Sequence, residues 1–225
     1  MKRFILVVIS CIFVVALTGR YSFAKTDSGM KGEMKQQGME MDEGMMKQMM
    51  EGMKRWIETT KPSKHHKVLD AHVGTWDVTF RMWMDPSAPP METKGVSEVK
   101  WIMGKRFLLE EYKGEMLMPD DKGGMQAVPY EGMGTLGYDV YRNMYTGTWL
   151  SNLQTNVLTM NGSMEPGSNV LRMFGEMDEP MLNVIGRTVK YVTTIKDKDT
   201  RIFECFDLHA SDTYRVFQIE YNRKK

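Results

Sequence analysis

From Gly74-Thr75-Trp76 to Tyr221-Asn222-Arg223 the chain is a succession of short runs in which apolar and polar residues alternate, broken by Gly, Pro, Asn and Asp. Alternation with period two is the mark of a half-buried strand. No stretch between these runs has helical periodicity, so parallel crossovers are excluded and the strands must pair antiparallel. About ten runs are readable. So many strands curl and close on themselves, because closure removes the unpaired edges. The expectation is an all-β, roughly ten-stranded antiparallel barrel, and a closed barrel has an interior that a ligand can occupy.

The reading places strands at Trp76 to Met84, Val96 to Met103, Arg106 to Glu115, Met133 to Val140, Tyr145 to Ser151, Val157 to Met164, Val170 to Met177, Arg187 to Ile195, Arg201 to Leu208 and Tyr214 to Arg223. Pro86 through Pro90 forces a loop, and Gly104-Lys105 is a tight turn. Met118 to Glu131, rich in Pro, Asp and Gly, reads as a long loop over the barrel mouth. Gly132, Gly134 and Gly137 crowd one strand, which marks a bend or the close approach of another group. Before the barrel, Ser63 can cap a short helix from His65 to His72.

The ends carry different signals. Residues 1–24 read as an export signal: Lys2 and Arg3, an apolar run from Phe4 to Leu17 too short for a comfortable membrane span, and Ser22-Phe23-Ala24 as the cleavage site. A periplasmic or secreted location is expected. Cleavage removes Cys11 and leaves Cys205 alone, so no internal disulfide can form; in its apolar strand Cys205 reads as a small buried hydrophobe. With 30 Lys+Arg against 29 Asp+Glu, interspersed, there is no basic stripe for nucleic acid. No segment beyond the signal is long and apolar enough to span a membrane as a helix.

Residues 25–60 form a methionine-rich arm ahead of a barrel domain spanning 61–225. Met45, Met46, Met49, Met50, Met53, Trp56 and Ile57 share one helical face, with Glu43, Lys47, Glu51, Lys54, Arg55 and Glu58 around it, and Pro62 ends the helix. One reading is an amphipathic helix packed against the barrel or a partner, where the adaptable Met side chain suits irregular surfaces. The alternative is a Cu(I) or Ag(I) site built from the thioethers of Met30, Met34, Met39, Met41, Met45, Met46, Met49, Met50 and Met53, since soft sulfur selects soft monovalent ions. A third reading is a structural or partner-docking module.

His66-x-x-Leu69, Gly74-Thr75-Trp76, Gly104-Lys105-Arg106-Phe107-Leu108, Gly134-x-x-Gly137-Tyr138-Asp139, Thr148-Trp149 and Tyr221-x-Arg223 together resemble the bacterial domain of unknown function fifteen-seventy-nine, over roughly residues 55–225. That family is similar to the calycins, the superfamily of lipocalins and fatty-acid-binding proteins. The resemblance implies a calycin-like barrel with a cavity and no assigned substrate. The family often has a second Gly where Lys105 stands, which puts the type of that turn in doubt. Among lipocalins the Trp of Gly-x-Trp stacks with an Arg near the end of the last strand; Trp76 and Arg223 match by position, a structural pair worth about 1–2 kcal/mol when partly desolvated.

The residues expected to orient a ligand in a mostly apolar cavity are Phe80, Trp101, Arg106, Glu110, Tyr138 and Trp149, with Tyr112 and Asp139 also candidates. Asp139 has a competing task in capping the turn Tyr141-Arg142-Asn143. Haem ligation is disfavoured, because His65, His66, His72 and His209 offer no compact metal spacing. No nucleophile elbow, phosphate-cradling loop or zinc-protease motif is present; Glu110 with Tyr138 is the one acid–base pairing available, so binding is favoured over catalysis. The expected function is capture of a small apolar or amphipathic molecule in the barrel cavity, with no cofactor required.

Overall fold

A computed structural model describes residues 42–85 and 87–225. The segment 1–24, expected from sequence to be an export signal, and Met30, Met34, Met39 and Met41 lie outside these residues. Two helices lead into the sheet: α1 (Glu43–Thr59) and α2 (Lys64–Val68), the latter running into a single 3-10 turn, Leu69–His72. Ten strands follow: β1 (Gly74–Met82), β2 (Met91–Ile102), β3 (Phe107–Pro119), β4 (Met125–Asp139), β5 (Met144–Ser151), β6 (Leu158–Met164), β7 (Val170–Glu179), β8 (Val184–Ile195), β9 (Thr200–Asp207) and β10 (Arg215–Arg223). Each pairs antiparallel with its neighbours in sequence, and β10 returns to β1 to close a barrel.

The alternation dictates which side chains face the bore. Trp76, Val78 and Phe80 of β1 stand opposite Arg223, Tyr221 and Ile219 of β10, and the buried residues Val99, Leu108, Tyr145, Met173, Val189, Tyr191 and Cys205 continue the inward set around the ring. Cys205 is fully buried and unpaired, and burial pushes its thiol up to about 12, where it stays protonated.

One end of the barrel is plugged. Ser63 caps α2 in a reciprocal box: its hydroxyl accepts from the His65 amide at 3.3 Å, and its own amide donates to His66 Nδ1 at 3.0 Å. The 3-10 turn then drops Leu69 into the core. Trp101 Nε1 donates to Asp70 at 2.8 Å, Tyr145 Oη to the His65 carbonyl at 3.1 Å, and Trp76 Nε1 to the His72 carbonyl at 2.9 Å. Each anchor satisfies a polar tip that the strand alternation drives inward.

Two expectations are corrected. The segment from Met118 to Glu131 is no mouth loop. Only the Asp120 to Gly124 turn is irregular, with the Asp120 carboxylate accepting from the Lys122 and Gly124 amides at 2.9 and 2.6 Å. β3 and β4 stay paired from Phe107 opposite Gly137 out to Pro119 opposite Met125. Pro129 sits inside β4 without cost because β5 begins pairing only at Gly132; the missing amide faces an edge. Beyond the rim this two-stranded ribbon reaches about 17 Å, at roughly 3.4 Å per residue.

The second correction concerns α1. The helix forms where its periodicity places it, and the hydroxyls of Thr59 and Thr60 close its last turn onto the Trp56 and Ile57 carbonyls. The barrel does not enclose this helix: none of its residues is buried, and Met46, Met50 and Trp56 are 50%, 50% and 65% exposed. The turn after β2 has left-handed backbone at Met103, Gly104 and Lys105, so Lys105 holds the conformation that glycine adopts most easily.

Candidate ligand-binding site

The bore has a polar floor at its plugged end and two facing walls above it. At the floor, Arg201 and Glu110 project from β9 and β3. Arg201 Nη2 lies 3.5 Å from Glu110 Oε1, and Ser97 Oγ donates to the same oxygen at 2.7 Å. Arg201 is almost fully buried, with its guanidinium 3.5 Å over the Tyr221 ring and 5.1 Å from that of Trp76. Its Nη1 faces His72 Nδ1 at 3.3 Å. Burial, with the Arg201 charge beside it, pushes His72 down to about 3, so the ring is neutral and its Nδ1 can accept. Burial first, and the Glu110 carboxylate after it, hold the Tyr221 phenol well above its usual range.

Arg223 stands over the other part of Trp76 at 4.1 Å. It donates to the carbonyls of Val73 at 2.7 Å, Lys198 at 2.9 Å and Ala71 at 3.4 Å. The sequence pair Trp76 and Arg223 is therefore in contact, and its task is to clamp the 3-10 plug to the last strand.

Above the floor, two walls face each other. On β1, β10, β9 and β8 the rings of Phe80, Phe217, Phe203 and Tyr191 pack in series, with centroid distances of 5.5, 6.1 and 5.6 Å. On β2 to β5 stand Thr93, Tyr112, Tyr130, Trp149 and Ser151. Trp149 Nε1 donates to Tyr130 Oη at 2.9 Å, and the Tyr112 and Tyr130 rings are 5.6 Å apart. Glycines flatten this wall. A Cβ on Gly132 would come within 2.2 Å of the Trp149 ring, and one on Gly95 within 2.3 Å of Tyr112 Oη. The large rings can thus lie against backbone rather than project across the bore.

Phe80, Phe203, Phe217, Ile219 and Trp149 face inward yet remain only half-buried. Their exposed portions are the surface that the barrel interior offers to a ligand. Two clefts also lie outside the bore. One of about 350 Å³ is lined by Thr59, Thr60, Lys61, His66, Arg106 and Tyr138, among others. The other, of about 270 Å³, is lined by Trp83, Phe206, Thr213, Tyr214 and Arg215.

The residues read from sequence are scattered among these places. Phe80, Glu110 and Trp149 face the bore together. Trp101 is spent on the plug through Asp70. Tyr138 stacks on His65 at 4.4 Å and donates to Asn143, also at the plugged end. Arg106 misses the bore altogether. The left-handed turn carries it outside, where it donates to the carbonyls of Thr60, Met103 and Gly104 at 2.9, 3.1 and 3.4 Å and ties the α1–α2 linker to the barrel end. Asp139 caps its turn through the Tyr141 and Arg142 amides, both at 2.9 Å. Among the described residues no cluster of three His, Cys, Asp or Glu is placed to hold a metal.

Sequence reasoning missed Thr93, Tyr130, Ser151, Tyr191 and Arg201. Starting the second strand at Val96 left out Thr93, and reading 118–131 as loop left out Tyr130. Ser151, Tyr191 and Arg201 lay in strands already recognised, and extending the inward alternation from Trp149, Val189 and Phe203 would have found them.

A family model described as protein of unknown function (DUF1579) matches residues 61–223. The chain belongs to this family. The match runs from the linker before α2 to the end of β10, so the plug and the whole DUF1579 barrel lie inside it, and α1 lies before it. No curated protein matches the sequence. Solved structures similar to this DUF1579 chain include a de novo designed fluorescence-activating β-barrel, at 14% identity over 70% of this chain and 97% of that one with a TM-score of 0.35. A redesigned β-barrel is similar at 13% identity, covering 70% of this chain and 96% of that one, with a TM-score of 0.36.

Proposed function

We propose that this protein is exported and binds a small apolar or amphipathic molecule in the upper half of its barrel. The carrying observation is the half-buried state of the inward-facing Phe80, Phe203, Phe217, Ile219 and Trp149 above a sealed floor. A concave, mostly aromatic surface with few polar groups is the usual chemistry of a small-molecule site. The basic start and apolar run of residues 1–24, which read as an export signal, support a task outside the cytoplasm.

A hydrophobic naphthylamine dye displaced by dodecanol tests this reading. Saturable displacement at one site is expected, weakened about tenfold or more, a loss of roughly 1.4 kcal/mol, when Ile219→Trp fills the bore. Unchanged affinity in that variant would move the site elsewhere.

The exposed methionines Met46, Met49, Met50 and Met53 of α1 favour a second, separate activity. Met46, Met49, Met50 and Met53 follow one another at helical spacing on an exposed surface, where side chains three and four apart are neighbours. Packing against the barrel does not account for them. Thioethers so arranged suit Cu(I) or Ag(I). In a calorimetric titration of the whole protein with Ag(I), replacing these four residues with leucine is expected to remove the tightest site. Binding unaffected by the replacement would rule the site out.

A further inference from the structure

We propose that the bore selects a neutral, flat, conjugated molecule with a hydrogen-bond acceptor on one edge, held between the aromatic wall and the hydroxyl wall. This rests on the binding reading above and names the class of ligand.

Four hydroxyls that face the bore have no hydrogen-bond partner although they are buried: Thr93 Oγ1, Tyr112 Oη, Ser151 Oγ and Tyr191 Oη. Buried hydroxyls are nearly always paired, so a set of orphans gathered along one lumen calls for a partner. Three of them, Thr93, Tyr112 and Ser151, belong to the β2–β5 wall. Burial pushes the Tyr112 phenol up to about 12, so it is protonated at neutral pH and offers a donor. A ligand edge that carries an acceptor satisfies that donor.

Each of the following ionised groups of the bore lies beside an opposite charge. Glu110 lies against Arg201 and Ser97, and Arg187 pairs with Asp207. Arg201 Nε and Nη2 lack an acceptor, but they lie at the floor under the Tyr221 and Trp76 rings with Glu110 alongside. A carboxylate or ammonium on a ligand would therefore lose its hydration without gaining a free countercharge. The opposite wall is a row of aromatic rings packed on one another: Phe80 and Phe217 are inclined by 30°, and Phe203 and Tyr191 by 15°. Aromatic rings take a further flat π-system edge-to-face or offset, contacts that a flexible aliphatic chain does not make.

Xanthone and xanthene, tricyclic molecules of similar size with and without a carbonyl, separate the hydrogen bond from the stacking. Dodecanol and dodecanoate report on aliphatic and anionic binding. Titrated into the full chain and followed by tryptophan fluorescence, xanthone is expected to bind about tenfold tighter than xanthene, the discrimination of one hydrogen bond of about 1.4 kcal/mol. Dodecanoate should bind most weakly. Tyr112→Phe should bring xanthone down to the level of xanthene, and Ser151→Ala provides an independent second removal. Tyr112→Phe deletes only an unpaired oxygen, so the fold should survive it. The inference is overturned if dodecanoate binds as well as xanthone, or if neither variant changes the xanthone-to-xanthene ratio. Dodecanol binding without xanthone binding overturns this inference alone; failure of every probe overturns the binding reading with it.

Discussion

Trp76→Ala is expected to lower the unfolding free energy by about 4 kcal/mol, in the range of deleting a large buried aromatic. Trp76 is 1% exposed and joins three elements. Its indole donates to the His72 carbonyl, lies under Arg223, borders Arg201 and meets the Tyr221 ring edge-on at 6.4 Å. Truncation leaves a cavity at the floor, frees one end of the plug, strips Arg223 of its ring face and leaves Arg201 with Tyr221 alone. Urea unfolding at neutral pH measures the loss. Trp76→Phe, which keeps most of the volume and a ring face, should cost only about half as much. A loss below about 1.5 kcal/mol for alanine would show that the plug is not held by this residue.

The second large effect belongs to Glu110. Glu110→Leu removes the carboxylate beside a guanidinium whose side chain is 5% exposed. An uncompensated buried charge costs about 3–5 kcal/mol. Ser97 also loses its acceptor, and Ser97 is fully buried. Adding Arg201→Leu removes the stranded charge and should return most of the stability, because an apolar replacement of a whole buried pair is often close to neutral. Urea unfolding of wild type, single and double variants decides it. A double variant no more stable than the single would mean that Arg201 is held by Tyr221, Trp76 and His72 without need of Glu110.

The barrel itself was legible because period-two alternation is written residue by residue: Trp76, Val78 and Phe80 against Asp77 and Thr79 suffice to orient β1. The turns were less so. Pro119, Gly123, Gly124 and Pro129 look alike in sequence, yet only the Asp120 to Gly124 stretch turns, because whether a proline interrupts a strand depends on which neighbour would have used its amide. That neighbour is tertiary information. The same limit explains Arg106. Its sequence position at the start of a strand suggested the bore, but three left-handed residues before it, one of them Lys105, rotate it outside. The glycines Gly132 and Gly134 did announce a close approach, and the partner proved to be Trp149. Which polar residues go unpaired could not be read from the chain at all, since pairing across the bore depends on the register of all ten strands. The exposure of the α1 methionine face was equally hidden, because periodicity shows that a helix has an apolar side and not what covers it.

The central claim is that the ligand site is the upper bore. Crystals soaked with a bromine-labelled dodecanol, and the bromine located by anomalous scattering, test it most directly. The account predicts one ordered peak between the Phe80–Phe217–Phe203 wall and Trp149. A peak in the outer cleft by Arg106, on the methionine face of α1, or nowhere in the bore at saturating concentration would contradict it.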